Sequence, residues 1–145
     1  MRRSLGDGFE LDDDRDRVDV AAVHGFLTEH AYWALGRARE TQERLVRESS
    51  RVVGLYREGR QVGFARAVTD GNSIAYLADV YVLPECRGRG LGLELVREIV
   101  ERGPYANVRW ILHTEDGHGL YAKVGFGPPG PRVMERPVAP RAPVE

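Results

Sequence analysis

Apolar positions along the chain change period several times, and each change marks an element. Val20, Val23 and Leu27 recur at helical spacing, which predicts a helix over residues 17–30. A shorter helical pattern covers 41–50, with Leu45 and Val46 inward. Residues 51–57 (RVVGLYR) and 61–69 (QVGFARAVT) read as strands around a Glu58-Gly59-Arg60 turn, a hairpin signal. Asp70-Gly71-Asn72 makes the next turn. The run 74–83 (IAYLADVYVL) is apolar on both faces, as an interior strand must be. Over 90–102, Leu91, Leu95 and Ile99 fall at i, i+4, i+8, which predicts a helix. Glu94, Arg97, Glu98 and Glu101 are expected on its polar face, with Glu98–Arg102 as an ion pair. Gly103-Pro104 stops it. Residues 107–114 (NVRWILHT) form a fourth long strand, parallel to 74–83 because a helix intervenes. A short helix over 118–124 and a last strand over 132–136 follow. With one strand ahead of the helices, the order is β-α-α-β-β-β-α-β-α-β. The fold class is α+β, a central mixed, mostly antiparallel sheet flanked by helices.

Composition narrows the function classes. At 145 residues and 16.2 kDa the chain makes one domain, over residues 1–136. Six of its eight prolines fall within 128–145, and residues 137–145 are expected to be a disordered tail. Lys plus Arg is 21 against 22 Asp plus Glu, so the surplus positive charge of a general nucleic-acid binder is missing. One cysteine excludes an internal disulfide framework. There is no apolar run long enough for a membrane span and no apolar stretch behind Arg2 and Arg3, so the expected location is cytoplasmic. The cluster Asp12, Asp13, Asp14, Asp16 suits a helix start, where the macrodipole favours negative charge. It has no His or Cys at ligand spacing, and no metal is expected.

Chemistry concentrates where the interior strand meets the third helix, VYVLPECRGRGLG at 80–92. Gly88, Gly90 and Gly92 let the backbone approach a ligand, and the helix start offers free N–H groups. With Arg87 and Arg89 beside them, these features make an anion cradle suited to phosphate. The Walker A ending is absent, and the glycine spacing departs from the Rossmann fingerprint. A glycine-rich turn without a ligand is the plainer alternative.

The loop Arg87-Gly88-Arg89-Gly90-Leu91-Gly92, preceded by Val80, Val82 and Pro84, resembles motif A of the GNAT superfamily of acetyl-CoA-dependent N-acetyltransferases. The later stretch Leu120-Tyr121-Ala122-Lys123-Val124-Gly125-Phe126 resembles a second motif of that superfamily. The two motifs stand in the family's order, and the resemblance covers about residues 10–136. AYWALGR at 31–37, FARAVTD at 64–70 and HGLYAKVGF at 118–126 look like a bacterial subgroup of small stand-alone members. The resemblance implies a GNAT fold with a splayed parallel strand pair, and acetyl-CoA as co-substrate between those strands. It places the pyrophosphate on Arg87, Gly88, Arg89, Gly90, Leu91 and Gly92, and the pantetheine arm along Val80, Tyr81 and Val82. It also implies direct attack by a primary amine of a small molecule or protein, with Tyr121 protonating the leaving sulfur. Dimerisation fits the family. Thr114 and Gly117 stand where many members have Asn and Ala, which weakens the expected contact of position 114 with the pantetheine arm.

Other candidates come from isolation in the pattern. Asp79 is the only charged residue between Ile74 and Leu83. It is read as general base or acceptor anchor, or as a structural group holding the Tyr32/Trp33 region. His118, three residues before Tyr121, is a candidate for proton relay or cofactor contact. Tyr32 and Trp33 are candidates for an aromatic acceptor wall, with packing beneath the second helix as the alternative. Arg37, Arg39, Arg44 and Arg47 could attract an acidic acceptor, but they are interleaved with glutamates and are read as a solvated face. His24, His30 and His113 are read as structural or exposed. A catalytically silent CoA-binding sensor or interaction module is the competing function class.

Overall fold

A computed structural model describes residues 1–138. Its six strands lie in chain order: β1 (Arg2–Gly6), β2 (Phe9–Asp12), β3 (Arg51–Arg57), β4 (Arg60–Thr69), β5 (Ile74–Val82) and β6 (Arg109–Ile111). The helices are α1 (Val20–His30), α2 (Arg39–Glu48), α3 (Leu91–Val100) and α4 (His118–Ala122). Every neighbouring pair of strands is antiparallel except β5–β6, which is parallel. This is the mixed sheet expected from the sequence.

Local turns set β1 against β2 and β3 against β4. Arg57 and Arg60 face each other across a two-residue turn in which Glu58 and Gly59 have φ of 51° and 83°. Such type I′ turns match the twist of the strands they join. Asp7-Gly8, with φ of 53° and 81°, joins β1 to β2 in the same way. The amino-terminal end thus holds a hairpin where a single strand is expected. The acidic cluster is divided as well. Asp14 caps a single 3-10 turn, whereas Asp12 is buried against Arg2 and Arg17. Asp13 pairs with the terminal ammonium and Arg51. The cap of α1 is Asp19, whose carboxylate accepts from the Ala22 amide.

Each face of the sheet carries one apolar layer. Leu91, Leu95, Val96 and Ile99 of α3 pack on Val53, Leu55, Ala65 and Leu77. Val23 and Leu27 of α1 and Val46 of α2 pack on Val52, Phe64 and Tyr81 on the other face. Burial of a side chain such as Leu95 contributes roughly 1.5–3 kcal/mol. Two expectations about helix faces fail here. Gln42, not Leu45, is buried with Val46 in α2, its amide oxygen accepting from Arg37. Glu98 is fully buried rather than exposed, because Arg3 and Arg51 reach it from β1 and β3. Arg102 pairs with Glu94 instead.

β5 shifts its facing midway. Phe64 pairs with Tyr81 and Arg66 with Ala78, so Asp79 and Val80 together oppose Ala65. This is a β-bulge, with Asp79 in the left-handed region at φ 55°. Leu77, Val80 and Val82 consequently share the α3 layer, which strict alternation forbids, while Tyr81 joins the α1–α2 layer. The parallel pairing is short. Ile74, Ala75 and Tyr76 meet Arg109, Trp110 and Ile111, and beyond Tyr76 the strands part. The strand expected over 107–114 is therefore three residues long. The strand expected over 132–136 does not form, although Glu135 bonds to His113. Pro128, Pro129, Pro131 and Pro137 flank that segment and supply no ladder N–H. Most of the tail expected over 137–145 lies outside the described residues.

Candidate functional site

The parting of β5 from β6 opens a cleft of about 620 Å³. Tyr76 to Val82 of β5 form one wall; Leu112, Thr114, Gly117, Leu120 and Tyr121 form the other. Toward the end of β5 the cleft runs into the Arg87–Gly92 loop, and toward the start of β5 it meets Tyr32, Trp33, Arg37 and Arg66.

The loop is open to the cleft. Gly88 and Gly90 have φ of 80° and 75°, and a Cβ built on either would meet no atom within 4 Å. The first helical hydrogen bond runs from the Glu94 amide to the Gly90 carbonyl. The amides of Leu91, Gly92 and Leu93 have no carbonyl one turn earlier to bond. Arg87 Nε donates to the Val82 carbonyl at 3.0 Å, which ties the loop to the end of β5. The Arg89 guanidinium lies 5.7 Å from the centroid of the Phe9 ring, so Arg89 offers the loop its backbone amide. Tyr81 contributes backbone, since its ring stacks on Phe26 with centroids 4.3 Å apart.

Tyr121 stands on the opposite wall, half-buried, its ring edge-on to Phe126. Burial, with the charge of Asp116 and the nearby Tyr32, pushes its phenol up to about 12. It is therefore a proton donor across the neutral range. Position 117 leaves no room for a side chain as the chain stands. A Cβ on Gly117 would lie 2.7 Å from Tyr121 Cε2 and 2.8 Å from Thr114 Oγ1. Thr114 Oγ1 accepts from the Gly117 amide at 2.8 Å, so this hydroxyl caps the turn into α4. His118 lines a separate groove on the far side of β6, together with Trp110 and Phe126, rather than the cleft.

Asp79 is buried, and three donors claim its carboxylate. Trp33 Nε1 reaches Oδ1 at 2.8 Å; Arg37 Nη1 and Arg66 Nε reach Oδ2 at 2.8 and 2.7 Å. Burial alone would raise its pKa, but the Arg66 charge and the bonds from Arg37 and Arg66 outweigh that and hold it below the ordinary carboxylate value. A carboxylate so held is a poor proton acceptor, and the geometry is that of an anchor for the Tyr32–Arg37 segment. Tyr32 and Trp33 are each about half exposed at the cleft mouth, edge to face at 5.1 Å, while Ala31 and Ala34 take the buried positions.

The sequence reading passes over three groups. Arg37 is turned inward rather than solvated. Arg66 is its partner around Asp79; past the turn residue Arg60, Arg66 is the one charge in β4 as Asp79 is in β5, and that is the signal that pairs them. His113 bonds Tyr76 and Glu135, residues distant in sequence that no local pattern connects. Among the described residues no three His, Cys, Asp or Glu side chains group to hold a metal ion, and no helix is long and apolar enough to cross a membrane.

Comparison with known proteins agrees with this architecture. The family model of the GNAT acetyltransferases matches residues 24–126. A structure from Xanthomonas campestris pv. campestris assigned to the GNAT family is 36% identical, with a TM-score of 0.84, covering 90% of this chain and 93% of that one. Serotonin N-acetyltransferase 2, chloroplastic, of Oryza sativa subsp. japonica is 36% identical over 128 residues, 82% of this chain and 62% of the relative. A Gibberella zeae protein named as an acetyltransferase is 39% identical over 69 residues, 46% of this chain. The chain spans 38% and 62% of the length of these two curated relatives. An aminoglycoside N-acetyltransferase in complex with CoA shares the fold at 16% identity and a TM-score of 0.65, covering 92% of this chain and 97% of that one. On the family match and the Xanthomonas likeness together, the chain belongs to the GNAT family of acetyltransferases.

Proposed function

We propose that the protein moves an acetyl group from acetyl-CoA to a primary amine by direct attack within a ternary complex. The observation that carries this reading is the cleft in which a free β5 edge runs into an open glycine loop opposite Tyr121. Acetyl-CoA, when bound, supplies an acetyl group activated as a thioester. The amides of Gly88 to Leu93 and the Arg87 guanidinium suit its pyrophosphate. The backbone of Val80 and the Val82 amide, which β6 does not pair, suit the amides of its pantetheine arm, while the Val82 carbonyl already accepts from Arg87. Tyr121 Oη, kept protonated by burial, gives its proton to the departing sulfur. Asp79 acts through others, holding Trp33 and Arg37 at the cleft mouth.

The residues at that mouth support one acceptor class. Tyr32 and Trp33 offer faces to an aromatic or cationic group, and Asp116 adds negative charge to the same cleft. An aryl-bearing primary amine fits both, as the name of the rice relative also suggests. The test is release of CoA thiol from acetyl-CoA with 2-phenylethylamine, tryptamine, spermidine and a lysine peptide. Amine-dependent release, greatest with the aryl amines, is expected. Tight binding of acetyl-CoA without release on any amine would instead favour a CoA-binding module.

A further inference from the structure

A hydrogen-bonded chain of three side chains stands beside the cleft, and neither the cradle nor Tyr121 uses it. Tyr76 Oη lies 2.6 Å from His113 Nδ1, and His113 Nε2 lies 2.7 Å from Glu135 Oε2. Three separate elements bring them together. Tyr76 ends the parallel pairing of β5, opposite Ile111 of β6. His113 is two residues past Ile111 and so returns to the same face. Glu135 comes from the irregular segment after α4. Tyr76 and His113 both line the cleft that Tyr121 lines.

The chemistry of the partners sets the polarity of the chain. A carboxylate only accepts, so His113 carries its proton on Nε2 and gives that bond to Glu135. Nδ1 then holds a lone pair, and the Tyr76 hydroxyl must donate to it. Burial raises the Tyr76 pKa, which keeps the phenol a donor. The remaining lone pairs of Tyr76 Oη are free to accept from a group in the cleft. Carboxylate, imidazole and hydroxyl in this order recur wherever an imidazole takes a proton from a reacting group and a carboxylate orients it. Arg66 and Asp79 lie behind Tyr76, Tyr32 and Asp116 line the same cleft, and Arg109, His118 and Arg132 line the adjoining groove with His113 and Glu135.

We propose that Tyr76, His113 and Glu135 form the path by which the acceptor ammonium loses its proton before it attacks. The proposal rests on the acetyl-transfer reading above. An ammonium N–H gives its proton to Tyr76 Oη as the Tyr76 proton passes to His113 Nδ1. The products are a neutral amine, an unchanged phenol and an imidazolium held by Glu135. The imidazolium then releases one proton to solvent, to which His113 and Glu135 are both more than half exposed. Tyr76 is the group that touches the acceptor; Glu135 is a positioning residue.

The test compares two nearly isosteric acceptors, 2-phenylethylamine and O-benzylhydroxylamine. The first is protonated near neutral pH and the second is not. His113→Gln should lower kcat/KM for 2-phenylethylamine by about 10²-fold, and for O-benzylhydroxylamine by about tenfold at most. Glu135→Gln should show the same asymmetry, smaller in size. Added imidazole should partly restore His113→Ala with 2-phenylethylamine. Equal losses on both acceptors, or none, would overturn the relay while leaving acetyl transfer intact. No thiol release by the wild type with either acceptor, despite acetyl-CoA binding by calorimetry, would overturn the transfer reading and the relay with it. A measurement without acceptor stands beside these. Nitrogen-15 spectra of neutral His113 should show the Nε2–H tautomer, and the Nδ1–H tautomer would contradict the proposed polarity.

Discussion

Replacing Asp79 by Asn separates an anchor from a base. Asn is nearly isosteric and tolerates the left-handed conformation at φ 55°, so the exchange removes charge without disturbing the bulge. Three short bonds meet the wild-type carboxylate, two of them from guanidinium groups whose side chains are 13% and 11% exposed. Without the carboxylate, two positive charges face each other in a poorly hydrated site. Breaking a buried ion pair by removing one partner costs about 3–5 kcal/mol. Asn keeps one acceptor oxygen, so the lower end, about 3 kcal/mol, is expected for Asp79→Asn. For a chain of this size 1 kcal/mol moves the thermal midpoint by about 2–4 °C, so it should fall by about 6–12 °C. The pH dependence has a definite sign. The folded pKa of Asp79 is depressed, so its contribution is present above the unfolded value, about 3.9, and is lost as pH falls through the lower folded value. The difference in midpoint between wild type and variant should therefore be full at neutral pH and shrink below about pH 4. Scanning calorimetry across pH reads both. An unchanged midpoint, combined with lost turnover and a shifted pH–rate profile, would refute the anchor and make Asp79 the base.

Other expectations concern the cradle and the acid. Tyr121→Phe should lower kcat by about 10²-fold with little change in acetyl-CoA affinity by calorimetry; equal turnover would remove Tyr121 from the mechanism. Gly117→Ala forces a Cβ against the Tyr121 ring and Thr114 Oγ1. Its cost should fall on kcat rather than on cofactor binding, and a change confined to affinity would count against Tyr121 as donor. Gly90→Val must hold φ 75°, at a cost of about 1–2 kcal/mol, and places its side chain in the open face of the loop. It should stay folded by circular dichroism and lose acetyl-CoA binding; retained affinity would mean that the loop is no cradle.

Much of the fold is legible where local signals agree. The Glu58-Gly59 turn sets β3 against β4, and the i, i+4 repeat of Leu91, Leu95 and Ile99 sets α3 on the sheet. Asp7-Gly8 carries the same hairpin signal, and a close reading of the first ten residues would have found β1 and β2. The bulge at Asp79 is different in kind. A strand apolar on both faces has no polar alternation to show a slip of one residue, so the shift from Leu77 to Val80 leaves no trace in the pattern. The short β6 leaves no trace either, because its sequence remains strand-like after its partner has left. The glycine loop at the start of α3 is legible because its residues are contiguous in sequence. The groups around Asp79 and His113 are not, because Trp33, Arg37 and Arg66, and likewise Tyr76 and Glu135, meet them only through tertiary structure. Glu98 shows the limit most plainly. Its helical position predicts solvent, and two arginines from other strands make burial possible.

The central claim is that the cleft between β5 and β6 is built to hold acetyl-CoA. The direct measurement is the thermal midpoint with acetyl-CoA, CoA and ATP in parallel, because a ligand that binds only the native state must raise it. The account predicts a concentration-dependent rise with acetyl-CoA and CoA, none with ATP, and loss of the rise in Gly90→Val. No shift with acetyl-CoA, or an equal shift with ATP, would contradict it.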